Sequence, residues 1–437
     1  MVTAGRLHFT RAQLATLGTR RASWPVVSLG LLCVLGVVFP PGLITAMNLY
    51  LLAFAALVLL ASRRAVPALL TGVLWPFGAI IVVGLLGASG AQRYLILKDA
   101  WYGSNPAVLL CVGWVLGQAT GDLPRALRAF VIGGTLVATL HMLRFALNPE
   151  LLSLQATQIR GFAGTGYHAA GLATVLLLAC WGRWRERLAL PPQIALVLFV
   201  PCAASVVLSF SRTMTMVVVI ALLALAGVFA RREWLRIGVL VAGVVLVLGV
   251  LHTTVDTDTV QAKRSFVGKL ARSLDELQSQ DRMSLRDINE NWRGFETQRA
   301  VDTWQQGGAF ELAFGRGFGF QVDLGIFQNL SGARGAAVRY IPIFHNGYVY
   351  LLVKTGIAGV LLYALVLARL YRLGRQGAGA AVADEARFAA RLLQACALIL
   401  ALTTWVVAGA FNKFDLLPFM LLTGVLLRRL SHDGVTA

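Results

Sequence analysis

Apolar residues in this chain do not alternate with polar ones; from Trp24 onward they run in long blocks separated by short polar connectors. Stretches such as Val217 to Ala230 and Leu235 to Leu251 carry hardly a charge. A helix that is apolar all round has no face for water, so its solvent must be lipid. A run of about 20 residues also suffices to cross about 30 Å of hydrocarbon as a helix. Twelve such stretches are predicted, at about 24–40, 43–61, 67–87, 106–120, 126–147, 168–182, 192–209, 213–230, 236–252, 346–368, 392–410 and 416–428. The fourth, sixth and twelfth are short enough to be tilted, partial or re-entrant.

Composition agrees: 57% of the 437 residues are hydrophobic and 14% charged, against roughly 45–50% and 25% in an ordinary soluble domain. The formal charge of +19 would suit nucleic acid if its arginines formed one patch. Instead they sit in alternate connections: Arg6 to Arg21, Arg63/Arg64, Arg125/Arg128, Arg183 to Arg187, Arg231 to Arg236, Arg369 to Arg391 and Arg428/Arg429. Arginine is retained on the cytoplasmic side of short loops, so topology explains the charge and nucleic acid is not an expected partner. Both termini are then cytoplasmic and no cleaved signal peptide is expected. A bacterial inner membrane fits. All five cysteines (Cys33, Cys111, Cys180, Cys202, Cys396) fall inside apolar stretches without a Cys-x-x-Cys pair, which argues against disulfides and cysteine metal sites.

Only one connection is large enough to be a domain. Residues 253–344 follow the ninth stretch, lie outside the cytoplasm by alternation, and contain as many acids as bases. Phe266, Leu270, Leu274 and Leu277 form one apolar stripe of an amphipathic helix, suited to lying on the membrane or capping the bundle. A second helix is predicted from about Trp292 to Gln306, with Phe295, Val301 and Trp304 as its apolar side and Gly307-Gly308 as its stop. Gly377 to Ala383 reads as a linker. The expected fold is thus an all-α polytopic membrane protein with about twelve transmembrane helices and one large, mainly helical periplasmic loop. It divides as 1–252 (helices one to nine), 253–344 (the loop) and 345–437 (helices ten to twelve and the tail).

Candidate chemistry gathers at the outer ends of spans. Arg212, in Ser209-Phe210-Ser211-Arg212-Thr213, stands where the membrane begins, and its planar fork suits a phosphate, although an interface arginine can also simply snorkel. His345 opens the tenth stretch in His345-Asn346-Gly347-Tyr348, where an imidazole can take a proton near pH 7 or serve as a polar cap. His168 opens the sixth stretch after Arg160-Gly161-Phe162-Ala163-Gly164, while His141 and His252 read as packing residues. Arg286, Arg293 and Arg299 lie on the loop, the first two spaced to share a helix face. Gly315-Arg316-Gly317-Phe318-Gly319 lacks the Lys and Ser/Thr of a nucleotide loop and reads as a tight backbone turn. Asp256 and Asp258 have no further ligand nearby and make a weak metal site.

Taken together, Ser209 to Arg212, Trp292-Arg293-Gly294-Phe295-Glu296, Phe314 to Gly319, and His345 to Tyr348 followed by Lys354-Thr355-Gly356-Ile357-Ala358-Gly359 resemble the bacterial O-antigen ligase and polymerase superfamily. The resemblance implies inverting, metal-independent and cofactor-free transfer of O-antigen glycan from undecaprenyl diphosphate to a hydroxyl of lipid A-core oligosaccharide at the periplasmic face. It also implies roles for Arg212 and Arg293 in binding diphosphate, with Arg286, Arg299 and Arg160 as further candidates, and for His345 as general base. The motifs do not separate a ligase from an O-antigen polymerase or a protein O-oligosaccharyltransferase. A twelve-span transporter is the alternative from another class, but the two halves show no evident likeness and a midplane polar site is not evident.

Overall fold

The computed structural model describes residues 24–38, 44–61, 68–88, 90–150, 167–179, 181, 188, 190–209, 211–229, 288, 291–329, 337–381, 383–411 and 416–432. Eight helices come first: α1 (Trp24–Val38), α2 (Ile44–Ala61), α3 (Ala68–Leu86), α4 (Arg93–Thr120), α5 (Leu123–Leu147), α6 (Tyr167–Ala179), α7 (Pro192–Leu208) and α8 (Arg212–Ala226). The loop region contributes α9 (Trp292–Gln305), α10 (Ala309–Phe314), β1 (Val322–Gln328) and β2 (Val338–Ile341). Then follow α11 (Gly347–Ala380), α12 (Asp384–Val407), a short 3-10 turn at Gly409–Phe411, and α13 (Leu417–His432). All but the ninth of the apolar stretches coincide with helices. The ninth, the Phe266 to Leu277 stripe, Arg160, Arg286, Asp256 and Asp258 lie outside the described residues.

Leu69–Leu86, Leu123–Leu147, Gly347–Ala380 and Asp384–Val407 are long and apolar enough to cross a membrane, and shorter apolar helices accompany them. Large apolar side chains such as Leu57, Leu60, Leu86, Val197 and Leu361 are exposed on the outside of the bundle. Such a surface is costly in water and ordinary in lipid. The chain is built as a predominantly α-helical, multi-pass membrane protein. Cys33, Cys111, Cys202 and Cys396 are free thiols.

Three details differ from the pattern reading. The fourth stretch is the second part of a longer helix: α4 runs for 28 residues, because Arg93, Lys98 and Asp99 interrupt its hydropathy without interrupting its helix. The loop region is not only helical, since β1 and β2 pair antiparallel as a hairpin, with Val322 and Leu324 on the buried side. Gly377 to Ala380 form the last turn of α11 rather than a linker. Gly377 is buried there, and its missing side chain lets α11 approach Ala390 of α12.

The helix α12 shows which ends lie together. Near its C-terminus, the Tyr348 hydroxyl at the start of α11 donates to the Ala401 carbonyl at 3.1 Å. Gly347 comes so close to Ala408 that a Cβ would stand 2.8 Å from its carbonyl oxygen. Near its N-terminus, Arg391 donates to the Leu225 carbonyl at 2.8 Å and Gln394 to the Phe229 carbonyl at 3.3 Å. α8 therefore runs antiparallel to α12, and Arg212 stands at the same end of the bundle as His345. The start of α6 joins them, since Gly171 packs on Met214 and the His168 ring meets Phe419 at 6.5 Å, edge to face.

Candidate functional site

His345 stands one residue outside α11, and the helix cap is its neighbour. The Asn346 side chain accepts from the N–H groups of Tyr348 and Val349 at 3.0 and 3.2 Å, which satisfies two of the orphan donors of a helix start. His345 is thereby released from capping and held from the other side. Its Nδ1 lies 2.8 Å from Glu296 Oε1, and its backbone N–H donates to the same oxygen. An ionised carboxylate only accepts, so a neutral imidazole held by one at this position donates from Nδ1 and offers Nε2 as the acceptor. Glu296 is buried, at 2% side-chain exposure, whereas His345 is 37% exposed. The pair thus presents an oriented, partly exposed imidazole.

Glu296 belongs to α9, which packs along the beginning of α11. Asn291 caps α9, accepting from Gly294 N at 3.3 Å. Arg293 stands one turn before Glu296 and shares its helix face, close to the N-terminal end whose partial positive charge favours anions. Arg299 is directed elsewhere: its guanidinium lies over the Phe295 ring at 5.5 Å and against Gly325 of the hairpin. There Arg339 and Asp323 form a two-pronged ion pair at 2.7 Å. The Arg339 guanidinium, helped by the Gly325 N–H, holds the Asp323 carboxyl down at about 2.

Arg212 begins α8 at the same end. Ser211 caps this helix, accepting from Met214 N at 3.3 Å, and Ser209 Oγ in turn accepts from Ser211 N at 3.3 Å. The serines of this segment therefore shape the turn that delivers the arginine. His141 is buried within the bundle, with Nδ1 2.8 Å from Ser205 Oγ.

A buried ion pair ties the site to the first helices. Lys354 Nζ lies 2.6 Å from Asp99 Oδ2, with 0% and 1% side-chain exposure. Asp99 also accepts from Gly319 N at 2.7 Å and from the Tyr350 hydroxyl at 2.9 Å, and Lys354 donates to the Phe320 carbonyl. Just beyond Lys354, α11 breaks at Gly356, whose φ of 63° frees the preceding carbonyls. The glycine-rich turn occupies them: Arg316 N donates to Val353 O at 2.8 Å and Gly317 N to Lys354 O at 3.1 Å, while Phe318 N reaches Gly84 O at 2.7 Å. Gly317 has φ 83°, and a Cβ there would strike Gly87 at 2.0 Å. This loop is a backbone plug between α3, α4 and α11, in keeping with its reading as a tight turn.

The pattern reading missed Asp99 and the parts played by Lys354 and Glu296. For the first two a signal existed, namely charges of opposite sign inside otherwise apolar helices. Glu296 offered none, because one acid on an amphipathic helix is ordinary. Among the described residues no three His, Cys, Asp or Glu side chains gather as a metal site.

Residues 194–364 match the family model for O-antigen ligase. No curated protein matches the chain.

Proposed function

From the match of residues 194–364 to the family model for O-antigen ligase, we propose that the chain belongs to that superfamily and is an O-antigen ligase of the bacterial inner membrane. Its donor is O-antigen glycan on undecaprenyl diphosphate, and its acceptor is a hydroxyl of lipid A-core oligosaccharide. The end of the bundle carrying His345, with residues 253–344 as a loop domain, faces the periplasm; both termini face the cytoplasm.

The single observation that carries this reading is the Glu296–His345 pair. Held through Nδ1, the imidazole takes the acceptor's hydroxyl proton on Nε2. The acceptor oxygen forms a bond to the anomeric carbon from the face opposite the leaving group. The bond from that carbon to the diphosphate oxygen breaks, and undecaprenyl diphosphate departs with the electron pair. One displacement inverts the anomeric centre. Arg212 and Arg293 meet the charge that grows on the diphosphate through charge-assisted, two-pronged hydrogen bonds, in place of a metal. A lipid diphosphate lies at headgroup depth, so groups at helix ends are the ones able to reach it.

A strain lacking this protein tests the reading. It should accumulate long-chain O-antigen on its lipid carrier while its core stays unsubstituted, and the wild-type chain should restore ligation. Loss of long chains, with single repeats still ligated to core, would instead mark a polymerase.

A further inference from the structure

α11 is two helices joined end to end. At Gly356 φ is 63° and ψ −164°, far from helical values. α10 packs into the break, where a Cβ on Gly356 would stand 2.4 Å from the Ala313 carbonyl oxygen. The head, residues 347–355, is thus separated from the long rod that follows, and His345 stands directly before its cap. A helix of roughly two and a half turns has too few hydrogen bonds of its own to hold itself in place. The groups that grip its sides therefore decide where the imidazole stands.

Two neighbouring helices grip the head. Toward α12, the Tyr348 hydroxyl donates to the Ala401 carbonyl at 3.1 Å. Toward α4, Tyr350 and Lys354 lie four apart, hence on one face, and both end on Asp99. The Tyr350 hydroxyl donates to Oδ1 at 2.9 Å and Lys354 Nζ to Oδ2 at 2.6 Å. Asp99 also accepts from Gly319 N at 2.7 Å, so the same carboxylate fixes the glycine-rich turn that occupies the Val353 and Lys354 carbonyls at the foot of the head. All three side chains are buried. Stability alone does not account for this arrangement, because exchanging a buried ion pair for apolar residues of similar volume is often neutral or stabilising. What a carboxylate with three fixed donors supplies is geometry: it sets the head in one position against α4 and the turn.

We propose that Asp99, acting through Tyr350 and Lys354, is a positioning residue for the transfer reaction. Glu296 orients the His345 ring, and Asp99 places the short helix from which that ring is delivered. The inference rests on His345 being the base. A misplacement of about 1 Å at a reacting group can cost about 10²-fold in rate, so loosening one of the holds on the head should be read in the rate even where the fold survives.

The test is Tyr350→Phe in the full chain, which removes one hydroxyl and leaves the ring, the ion pair and the Gly319 contact. With undecaprenyl diphosphate-linked O-antigen and lipid A-core both saturating, the transfer rate should fall about tenfold, while donor affinity stays unchanged. Tyr363→Phe is the control: it removes a buried hydroxyl, bonded to Thr404 Oγ1 at 2.9 Å, from the part of α11 beyond the break, and it should leave the rate unchanged. A full rate in Tyr350→Phe would overturn the proposal. So would an equal loss in Tyr363→Phe, or a loss shared between donor affinity and rate. Should Tyr350→Phe not fold, Asp99→Asn/Lys354→Met decides: slow transfer with donor affinity retained supports the hold, and a full rate refutes it. Wild-type transfer that survives His345→Ala would remove the base, and the hold's purpose with it, a result distinct from a full rate in Tyr350→Phe alone.

Discussion

Glu296 Oε1 accepts both the backbone N–H of His345 and, at 2.8 Å, its ring Nδ1. One buried carboxylate oxygen therefore fixes the position, the ring plane and the tautomer of the histidine. Glu296→Gln keeps the shape but offers an amide that can turn its N–H toward Nδ1 and reverse the tautomer. Transfer should fall by about 10²-fold or more, with donor affinity and protein level unchanged. A purely structural Glu296 would lower protein level and rate together.

The two helix-end arginines should be sensitive to geometry as well as charge. Arg212→Lys and Arg293→Lys should each lose about tenfold or more in donor affinity or rate, since an ammonium cannot reproduce a two-pronged contact. Arg299→Gln should cost little activity, because Arg299 leans on Phe295 and the hairpin. Transfer by the purified protein should also persist in excess EDTA. Full activity with lysine at 212 and 293 would remove the arginine clamp from the mechanism.

The Asp99–Lys354 pair makes a prediction about stability. Lys354→Met strands a buried carboxylate and Asp99→Asn a buried ammonium, each costing about 3–5 kcal/mol. The double variant removes both charges, while the asparagine carbonyl oxygen at position 99 can still accept from Gly319 and Tyr350. Its Tm should recover most of the loss; additive losses in this cycle would mean that the charges are not coupled.

Asp323 supplies a pH test outside the membrane-spanning helices. Its carboxyl is held at about 2, below the ordinary 3.8, first by Arg339 and then by the Gly325 N–H. A folded value below the unfolded one stabilises the hairpin fully above pH 3.8 and loses that contribution as pH falls through about 2. Carboxyl ¹³C titration should show Asp323 ionised at about pH 3, and Arg339→Gln should return it toward the ordinary range. An Asp323 that titrates normally in the wild type would contradict the pairing.

How much of this was legible in the sequence depends on what each feature requires. Lipid demands unbroken apolar runs, so the helices could be read locally, and Gly307-Gly308 marked the end of α9 closely. The length of α4 could not, because the charge that interrupts it, Asp99, is compensated by Lys354 at a distant position on another helix. The hairpin escaped notice because Val322–Gln328 is short and carries Gly325. Arg212 and His345 were recognisable as span-end residues on the same side from the alternation of basic connections, and the antiparallel packing of α8 on α12 puts them at one end of the bundle. The preference for Arg293 over Arg299 came from the family resemblance, and what linear spacing could not tell is that the Arg299 guanidinium lies over Phe295 and against the hairpin.

The central claim is that His345 is the base that takes the acceptor proton. The most direct measurement compares purified wild-type protein with His345→Ala, using undecaprenyl diphosphate-linked O-antigen as donor and lipid A-core as acceptor, with donor binding measured alongside. The account expects donor binding to be retained and the transfer rate to fall by about 10² to 10⁴-fold. Wild-type rates from His345→Ala would contradict it.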